Sequence, residues 1–328
     1  EDLPSGSLSS LPDLSDPIWE VRRRDVRRAI DASPNSAPGP DGIPFAAWRR
    51  MGPLAVDCLF IAYKTITAEG GLETLQSEWP TFNASDMVFI PKTISHGSQS
   101  SGESGRGGFC NPADTRPLNI TNSDNRLLAN AVRLRLEPIM NSWVTPMQRG
   151  FLAGRSLLAN VLDVDEACMH TALTQPAGAG IFFDFQAAFP SVAHSFLLRV
   201  LRHMGLPPRL IRFVEALYQN NLCSLIVAAA RHAGFQLRSG IRQGCPLSPL
   251  VFAIVADLLL RRMQRLLPDA VTKAFADDLA VVVLHLLAAL AVLVPIFDEY
   301  ALISGLQLNV AKTVVLPLST VDPSEYAR

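Results

Sequence analysis

Apolar residues recur along the chain with two periods, one typical of helices and the other of strands. Six segments have the spacing of an amphipathic or buried helix. They are Ile18–Ile30, Phe45–Ala68, Asp124–Met140, His194–His203, Pro208–Tyr218 and Ser248–Leu266. Short apolar runs between turn residues predict strands at Met87–Ile90 and Ile181–Phe185, a hairpin at Cys223–Leu237 and a strand-turn-strand around Asp277. The chain is therefore predicted to combine helices with strands.

One apolar run, from Leu279 to Phe297, is long enough for a membrane span. His285 and Pro295 interrupt this run. β-Branched residues are frequent in Leu279–Val283, whereas Leu and Ala dominate His285–Leu293, and these compositions favour a strand and a helix respectively. A buried strand that leads into a buried helix is the prediction, and a membrane helix is the alternative.

Composition limits the kinds of partner and compartment. The chain has 328 residues, of which 48% are hydrophobic, and a formal net charge of −1 from 29 Lys and Arg against 30 Asp and Glu. No overall field attracts nucleic acid, so any such site must be local. The five cysteines show no CxxC pair, and no secretory signal is visible. We therefore expect reduced thiols in an intracellular protein, either nuclear or cytoplasmic.

Three aspartates, Asp184, Asp277 and Asp278, lie on or beside apolar strands. An unpaired charge costs several kcal/mol in such surroundings, so it is normally paired or bound to a metal. Phosphoryl-transfer sites use carboxylates of this kind to hold two Mg²⁺ ions about 3.5–4 Å apart. The residues thus indicate metal-dependent phosphoryl transfer, but spacing alone does not bring Asp184 to Asp277.

Eight short motifs share their wording and order with one family. They are SAPGPDGI at 36–43, VFIPK at 88–92, TRPL at 115–118, RGFLAGRS at 149–156, FFDFQAAF at 182–189, GIRQGCPLSP at 240–249, FADD at 275–278 and SGLQLN at 304–309, with Lys312 following. Over about 18–316, the chain therefore resembles reverse transcriptases of the non-LTR retrotransposon (LINE) type. The wording at 36–43 and 240–249 favours this type over group II intron and retron enzymes.

The resemblance implies an α+β fold, a right-hand polymerase whose antiparallel palm sheet packs on helices. Residues 1–16 would be a disordered lead-in, and 17–180 the N-terminal helices and fingers. The Ser- and Gly-rich residues 94–108 would form a flexible insertion. Residues 181–316 would be the palm and 317–328 a C-terminal tail. No thumb is recognisable, so we expect it to be missing from this chain; a thumb and an endonuclease could belong to a longer polyprotein.

The resemblance also implies a catalytic and metal-binding set. Asp184 and Asp277 would hold two Mg²⁺ ions, with Mn²⁺ as a substitute, and Asp278 would be a supporting carboxylate. The main-chain carbonyl of Phe185 would be a further ligand. Lys312 corresponds to a lysine that protonates the departing pyrophosphate.

Six residues are expected to bind the incoming nucleotide, and Phe185 is one of them. Lys92 and Arg116 correspond to cations that contact the triphosphate. Phe189 corresponds to the aromatic ring that excludes a 2′-hydroxyl, and core packing is its alternative role. Gln243 and Gly244 correspond to residues that contact nucleotide and template.

Five more residues are expected on the template and primer side. Gly150, Phe151 and Arg155 correspond to a template contact, for which a purely structural turn is the alternative. Phe275 and Ala276 adjoin the catalytic aspartates and are assigned to the same side.

The implied function is RNA-directed DNA polymerase, with an RNA template, a DNA primer or target and deoxynucleoside triphosphates as partners and no membrane. The alternatives are a group II intron or retron enzyme, and a non-catalytic scaffold, degraded or domesticated, that binds RNA. The three intact aspartates favour an enzyme.

Overall fold

The structure, a computed structural model of the protein, describes residues 11–92 and 115–319. Most of the expected lead-in, the expected insertion at 94–108 and most of the expected tail lie outside these residues. Eleven α-helices and eight strands occur in the described part of the chain.

The first part of the chain is mainly helical. It contains α1 (Arg23–Asp31), α2 (Phe45–Met51), α3 (Pro53–Thr67), α4 (Gly71–Glu78), β1 (Ser85–Pro91), β2 (Thr115–Thr121), α5 (Ser123–Trp143) and α6 (Leu157–Thr174). The second part alternates strands with helices. It contains β3 (Ala179–Phe183), α7 (Ala188–Ser191), α8 (His194–His203), α9 (Pro208–Tyr218), β4 (Asn221–Val227), β5 (Ala230–Leu237), α10 (Ser248–Leu266), β6 (Val271–Phe275), β7 (Asp278–Val283), α11 (Leu286–Ser304) and β8 (Val314–Pro317).

The helices α8, α9 and α10 have the predicted bounds, whereas the predicted helix from Phe45 to Ala68 is wrong as one unit. Gly52 adopts a φ of +58° between α2 and α3, and Pro53 begins the second helix, where its missing N–H costs no hydrogen bond. The predicted helix from Ile18 is also too long, because a 3₁₀ turn at Pro17–Trp19 precedes α1. The helices α4 and α6 were not predicted.

Two four-stranded sheets organise the described residues. The first sheet has the order β2-β1-β4-β5, in which β1 pairs antiparallel with β2 and parallel with β4. The predicted hairpin at Cys223–Leu237 is confirmed as β4 and β5, and it extends this sheet. The first sheet therefore draws strands from both sides of residue 180. The second sheet has the order β6-β7-β3-β8 and is antiparallel throughout.

The second sheet is covered by helices on both faces. Successive side chains of a strand point to opposite faces. On one face the ring of Phe183 contacts Phe297 of α11, with centroids 4.7 Å apart. On the other face Phe182 joins residues of α6 around an apolar cavity of about 510 Å³. An antiparallel sheet between helices thus holds the ends of β3, β6 and β7 in fixed relation.

The apolar run after Asp278 forms strand β7 and helix α11, as predicted. Within the described residues, α11 is the one helix long and apolar enough to cross a membrane, and 33% of its most apolar window is buried. The helix continues through Pro295 to Ser304, beyond the Leu- and Ala-rich segment that indicated it. The buried Tyr300 hydroxyl donates to the Val255 carbonyl at 2.8 Å. One face of α11 is therefore part of the core.

Candidate active site

Strand pairing in the second sheet brings the three aspartates together. Phe183 pairs with Leu279, so Asp184, the first residue after β3, lies beside Asp278, the first residue of β7. Phe275 pairs with Asp278, which leaves Ala276 and Asp277 as a two-residue turn. The register of β3, β6 and β7 therefore brings Asp184 close to Asp277 and Asp278, which their spacing in the sequence could not establish.

The turn between β6 and β7 has an unusual backbone. Ala276 has a φ of +60°, in the left-handed region that hairpin turns usually fill with Gly, Asn or Asp. Gly150 packs directly against this turn, because a Cβ built on it would lie 2.0 Å from the Ala276 nitrogen. A glycine is therefore required at Gly150 by the close approach of two main chains.

The Asp184 carboxylate is held by residues that follow α11. The Asn309 side chain donates its Nδ2 hydrogen to Oδ2 of Asp184 at 3.0 Å, and the Asn309 amide donates to the Asp184 carbonyl at 2.8 Å. Lys312 Nζ lies 4.0 Å from the same Oδ2. Lys312 was expected in the site, whereas the contact from Asn309 was not. Its only sequence signal is its place in the motif at 304–309.

Asp277 lies in a negatively charged environment. Burial is the main cause that raises its pKa above the usual value for aspartate, and the neighbouring Asp278 and Asp184 carboxylates raise it further. Arg116 of β2 opposes this effect and lowers the pKa. The carboxylates thus repel one another, and a cation between them would relieve the repulsion.

The described residues contain no group of three or more His, Cys, Asp or Glu side chains that could hold a metal ion by itself. Any metal at the aspartates therefore needs oxygen ligands from outside these residue types. Main-chain carbonyls and substrate phosphates are oxygen ligands of the kind that Mg²⁺ prefers.

Most of the expected catalytic and nucleotide-binding residues line one cavity of about 610 Å³. They are Lys92, Arg116, Asp184, Phe185, Phe189, Gln243, Asp277, Asp278 and Lys312. Arg116 lies on β2 of the first sheet and Lys92 directly follows β1, whereas the aspartates lie at the ends of strands of the second sheet. Asn309 and Gln186, for which no role was predicted, also line the cavity.

Phe189 is fixed by two other aromatic rings. It stacks on the buried Phe252 with centroids 4.3 Å apart and an angle of 12°, and Phe151 meets it edge-on at 5.8 Å. The ring is half-buried and also lines the cavity. It is thus attached to the core on one side and available to a ligand on the other.

Gly244 was expected to allow close approach of the nucleotide, but its close neighbour is the first sheet. It has a φ of +113°, and a Cβ on it would lie 2.5 Å from the Asn119 carbonyl oxygen. The adjacent Gln243 carbonyl accepts a hydrogen bond from the Asn119 amide at 2.8 Å. The need for glycine here comes from contact between chain segments, and a contact with nucleotide or template stays a prediction.

The five residues expected on the template and primer side do not line the cavity, although Phe151 and Gly150 contact residues next to it. Arg155 donates to the carbonyl of Gln148 at 2.6 Å and to those of Asn141, Val144 and Thr145, which favours the structural alternative for this residue. Phe275 lines the apolar cavity beneath α6 instead. Ala276 is buried. Their contacts with template or primer stay predictions.

Comparison with known sequences identifies relatives over nearly the whole chain. A retrovirus-related Pol polyprotein from type-2 retrotransposable element R2DM of Drosophila melanogaster is 28% identical over 314 residues, which are 94% of this chain and 27% of the polyprotein. A Pol polyprotein from type-1 retrotransposable element R2 of Popillia japonica is 25% identical over 309 residues, which are 91% of this chain and 40% of that polyprotein.

This chain therefore spans well under half the length of these two relatives. The sequence model of one family, described as Reverse transcriptase (RNA-dependent DNA polymerase), matches residues 103–322, which is more than half of the chain. The protein therefore belongs to the reverse transcriptase (RNA-dependent DNA polymerase) family, and its resemblance to the non-LTR retrotransposon type is confirmed.

Proposed function

We propose that this chain is the polymerising core of an RNA-directed DNA polymerase. In the reaction, a primer 3′-hydroxyl attacks the α-phosphate of a deoxynucleoside triphosphate, the bond to the β-phosphate breaks, and pyrophosphate leaves. One observation carries the proposal: three cations, three carboxylates and the ring of Phe189, all expected from the family motifs, line the same cavity of about 610 Å³.

The cavity offers each part of the nucleotide a chemically suited residue. Arg116 and Lys92 bind the triphosphate, whose charge the two exposed cations match. Phe189 supports the sugar, and its stacking on Phe252 keeps the ring from moving aside. Lys312 donates a proton to the departing pyrophosphate.

The donor set fits divalent cations. Asp277 and Asp184 are hard oxygen ligands whose mutual repulsion favours a bound cation, and Asn309 and Lys312 orient the Asp184 carboxylate. The Phe185 carbonyl and the substrate phosphates would be further oxygen ligands. Bound Mg²⁺ or Mn²⁺ would supply activation of the 3′-hydroxyl and neutralisation of charge on the leaving phosphate.

The proposal assigns the second sheet to the palm and the first sheet to the fingers of a right-hand polymerase. The partners are an RNA template and a DNA primer or target. The relatives extend far beyond the matched region, which supports a longer polyprotein that supplies further domains such as a thumb and an endonuclease.

Primer extension tests the proposal. A DNA primer annealed to an RNA template should be lengthened by the purified chain when Mg²⁺ and all four deoxynucleotides are present, and EDTA should stop the reaction. A folded chain that binds the RNA but adds no nucleotide under these conditions would identify a non-catalytic scaffold instead.

Phe189→Val is expected to weaken discrimination against ribonucleotides by roughly tenfold or more, while deoxynucleotide use changes little. A smaller side chain leaves room for the 2′-hydroxyl and touches no metal ligand. The ratio of kcat/KM for a deoxynucleotide to that for the matching ribonucleotide measures the effect.

Phe235→Val is the matched control, because it makes the same change at an exposed ring on β5 that does not line the cavity, and it should leave the ratio unchanged. An unchanged ratio in a folded Phe189→Val chain would leave Phe189 with a packing role only.

A further inference from the structure

The side-chain amide of Gln148 is wholly buried beneath the turn that carries Asp277. Its exposed fraction is 0%. Its Oε1 accepts hydrogen bonds from the amide of Ala276 at 2.9 Å and from that of Gly150 at 2.8 Å. Its Nε2 donates to the Ala276 carbonyl at 3.1 Å. One side chain therefore satisfies both main-chain polar groups of Ala276.

Ala276 needs such support because its backbone is strained. An L-residue with a side chain costs about 1–2 kcal/mol in the left-handed region, and Ala276 has a φ of +60°. Strained residues keep their conformation only where their surroundings determine it in more than one way. Asp277 and Asp278 follow directly, so a rotation of the Ala276 peptide would redirect the catalytic carboxylates.

Gln148 itself is held firmly. The Ala274 amide donates to the Met147 carbonyl at 2.8 Å, and the Arg149 amide donates to the Ala274 carbonyl at 2.9 Å. Arg155 donates to the Gln148 carbonyl at 2.6 Å. The main chain on both sides of Gln148 is thus hydrogen-bonded to β6, and its own carbonyl is fixed by a guanidinium. Its side chain can transmit this rigidity to the turn.

We propose that Gln148 is a positioning residue for nucleotidyl transfer: it fixes the Ala276 peptide and thereby directs Asp277 into the cavity. The inference rests on the proposed function. Binding both main-chain groups of Ala276 requires a donor and an acceptor at the end of one side chain. The uncharged amides of Gln and Asn provide both. Gln148→Met keeps the length but removes both groups, and Gln148→Glu keeps only the acceptor.

The first measurement is catalytic. Gln148→Met should lower kcat by about 100-fold, because a displacement near 1 Å suffices for such a loss. The Mg²⁺ concentration for half-maximal rate should rise roughly tenfold, as for other residues that orient metal ligands. KM for the deoxynucleotide should stay within about threefold, because Arg116 and Lys92 are untouched. Gln148→Glu should lie between Gln148→Met and the wild type.

Asn160→Leu is the matched control. Asn160 is also a buried amide, and its Nδ2 donates to the Ala274 carbonyl of β6 at 2.8 Å, but it makes no hydrogen bond to the turn. A comparison of Asn160→Leu with Gln148→Met therefore separates the effect of losing a buried amide next to β6 from the effect of losing the contact with Ala276. Asn160→Leu should keep the Mg²⁺ dependence of the wild type.

Two further readouts do not depend on catalysis. Gln148→Met should bind Mn²⁺ more weakly than the wild type in the absence of nucleotide and nucleic acid. The electron paramagnetic resonance signal of free Mn²⁺ measures this binding. The Ala276 amide should exchange its hydrogen slowly in the wild type and fast in Gln148→Met, whereas the Ala274 amide, bonded to Met147, should stay protected in both.

The outcomes separate the two hypotheses. Fast exchange of the Ala276 amide in the wild type would overturn the role of Gln148 even if no variant folds. So would a folded Gln148→Met chain whose Mg²⁺ dependence, Mn²⁺ binding and kcat equal those of Asn160→Leu. A wild-type chain that fails to extend primers would overturn the proposed function instead, and the exchange and Mn²⁺ measurements would still decide about Gln148.

Discussion

Asp277→Asn should lower the rate of primer extension by at least about 10³-fold, a loss typical of removing a central catalytic group. The variant should be no less stable than the wild type. Burial and the neighbouring carboxylates raise the pKa of Asp277, which means that the fold disfavours the charge it carries at neutral pH. The neutral amide removes this repulsion together with the proposed metal ligand. Single-turnover extension and thermal denaturation measure the two effects.

Asp298→Asn is the control for the chemical change itself, because Asp298 is exposed on α11 outside the cavity. It should leave both the rate and the stability close to the wild type. If Asp277→Asn extended primers within about tenfold of wild type, Asp277 would not be a metal ligand. If Asp277→Asn lost activity only because it unfolded, its thermal stability would fall together with its rate.

The sequence predicted single elements better than their arrangement. The helices α8, α9 and α10 were found because their apolar positions repeat with a clear helical period and Pro or Ser marks their first turn. Helix α6 was missed, since Leu158, Met169 and Leu173 point into solvent and obscure the period. An apolar period in the sequence reflects which side chains are buried, so it does not reveal a helix whose apolar side chains are exposed.

For the candidate site too, the sequence indicated the residues but not their arrangement. The family motifs assigned Asp184, Asp277 and Arg116 to one site, and in the structure all three line one cavity, although nothing in their spacing required it. The pairing of β3 with β7 provides the reason, and pairing between distant strands is not visible in a single sequence. No role was predicted for Gln148, because its two hydrogen bonds to Ala276 join residues 128 positions apart.

A family motif identifies a shared residue but does not show which contact requires it. Gly244 and Arg155 belong to motifs that the family shares, and both were assigned to contacts with ligands. In the structure Gly244 meets the Asn119 main chain, and Arg155 binds four carbonyls of the segment 141–148. Both residues therefore serve the geometry of the site, and their contacts with ligands stay predictions.

Gly150→Ala is expected to reduce the single-turnover rate by about 100-fold even where the chain stays folded. A Cβ on Gly150 would lie 2.0 Å from the Ala276 nitrogen and 2.8 Å from both the Ala276 Cα and the Phe275 carbonyl carbon. All three atoms belong to the main chain and cannot rotate away. The turn must therefore move by roughly 1 Å, and overpacking of this kind costs about 1–3 kcal/mol.

Gly154→Ala separates this displacement from a general loss of stability. Gly154 lies in the same loop and has a φ of +77°, but a Cβ on it would meet nothing within 4 Å. The substitution strains the backbone by about 1–2 kcal/mol and leaves the turn in place. Both variants should therefore melt at lower temperature than the wild type, whereas only Gly150→Ala should lose the catalytic step at a temperature where both are folded. Equal single-turnover rates in the two variants would mean that the turn tolerates displacement, and the contact with Gly150 would then serve stability alone.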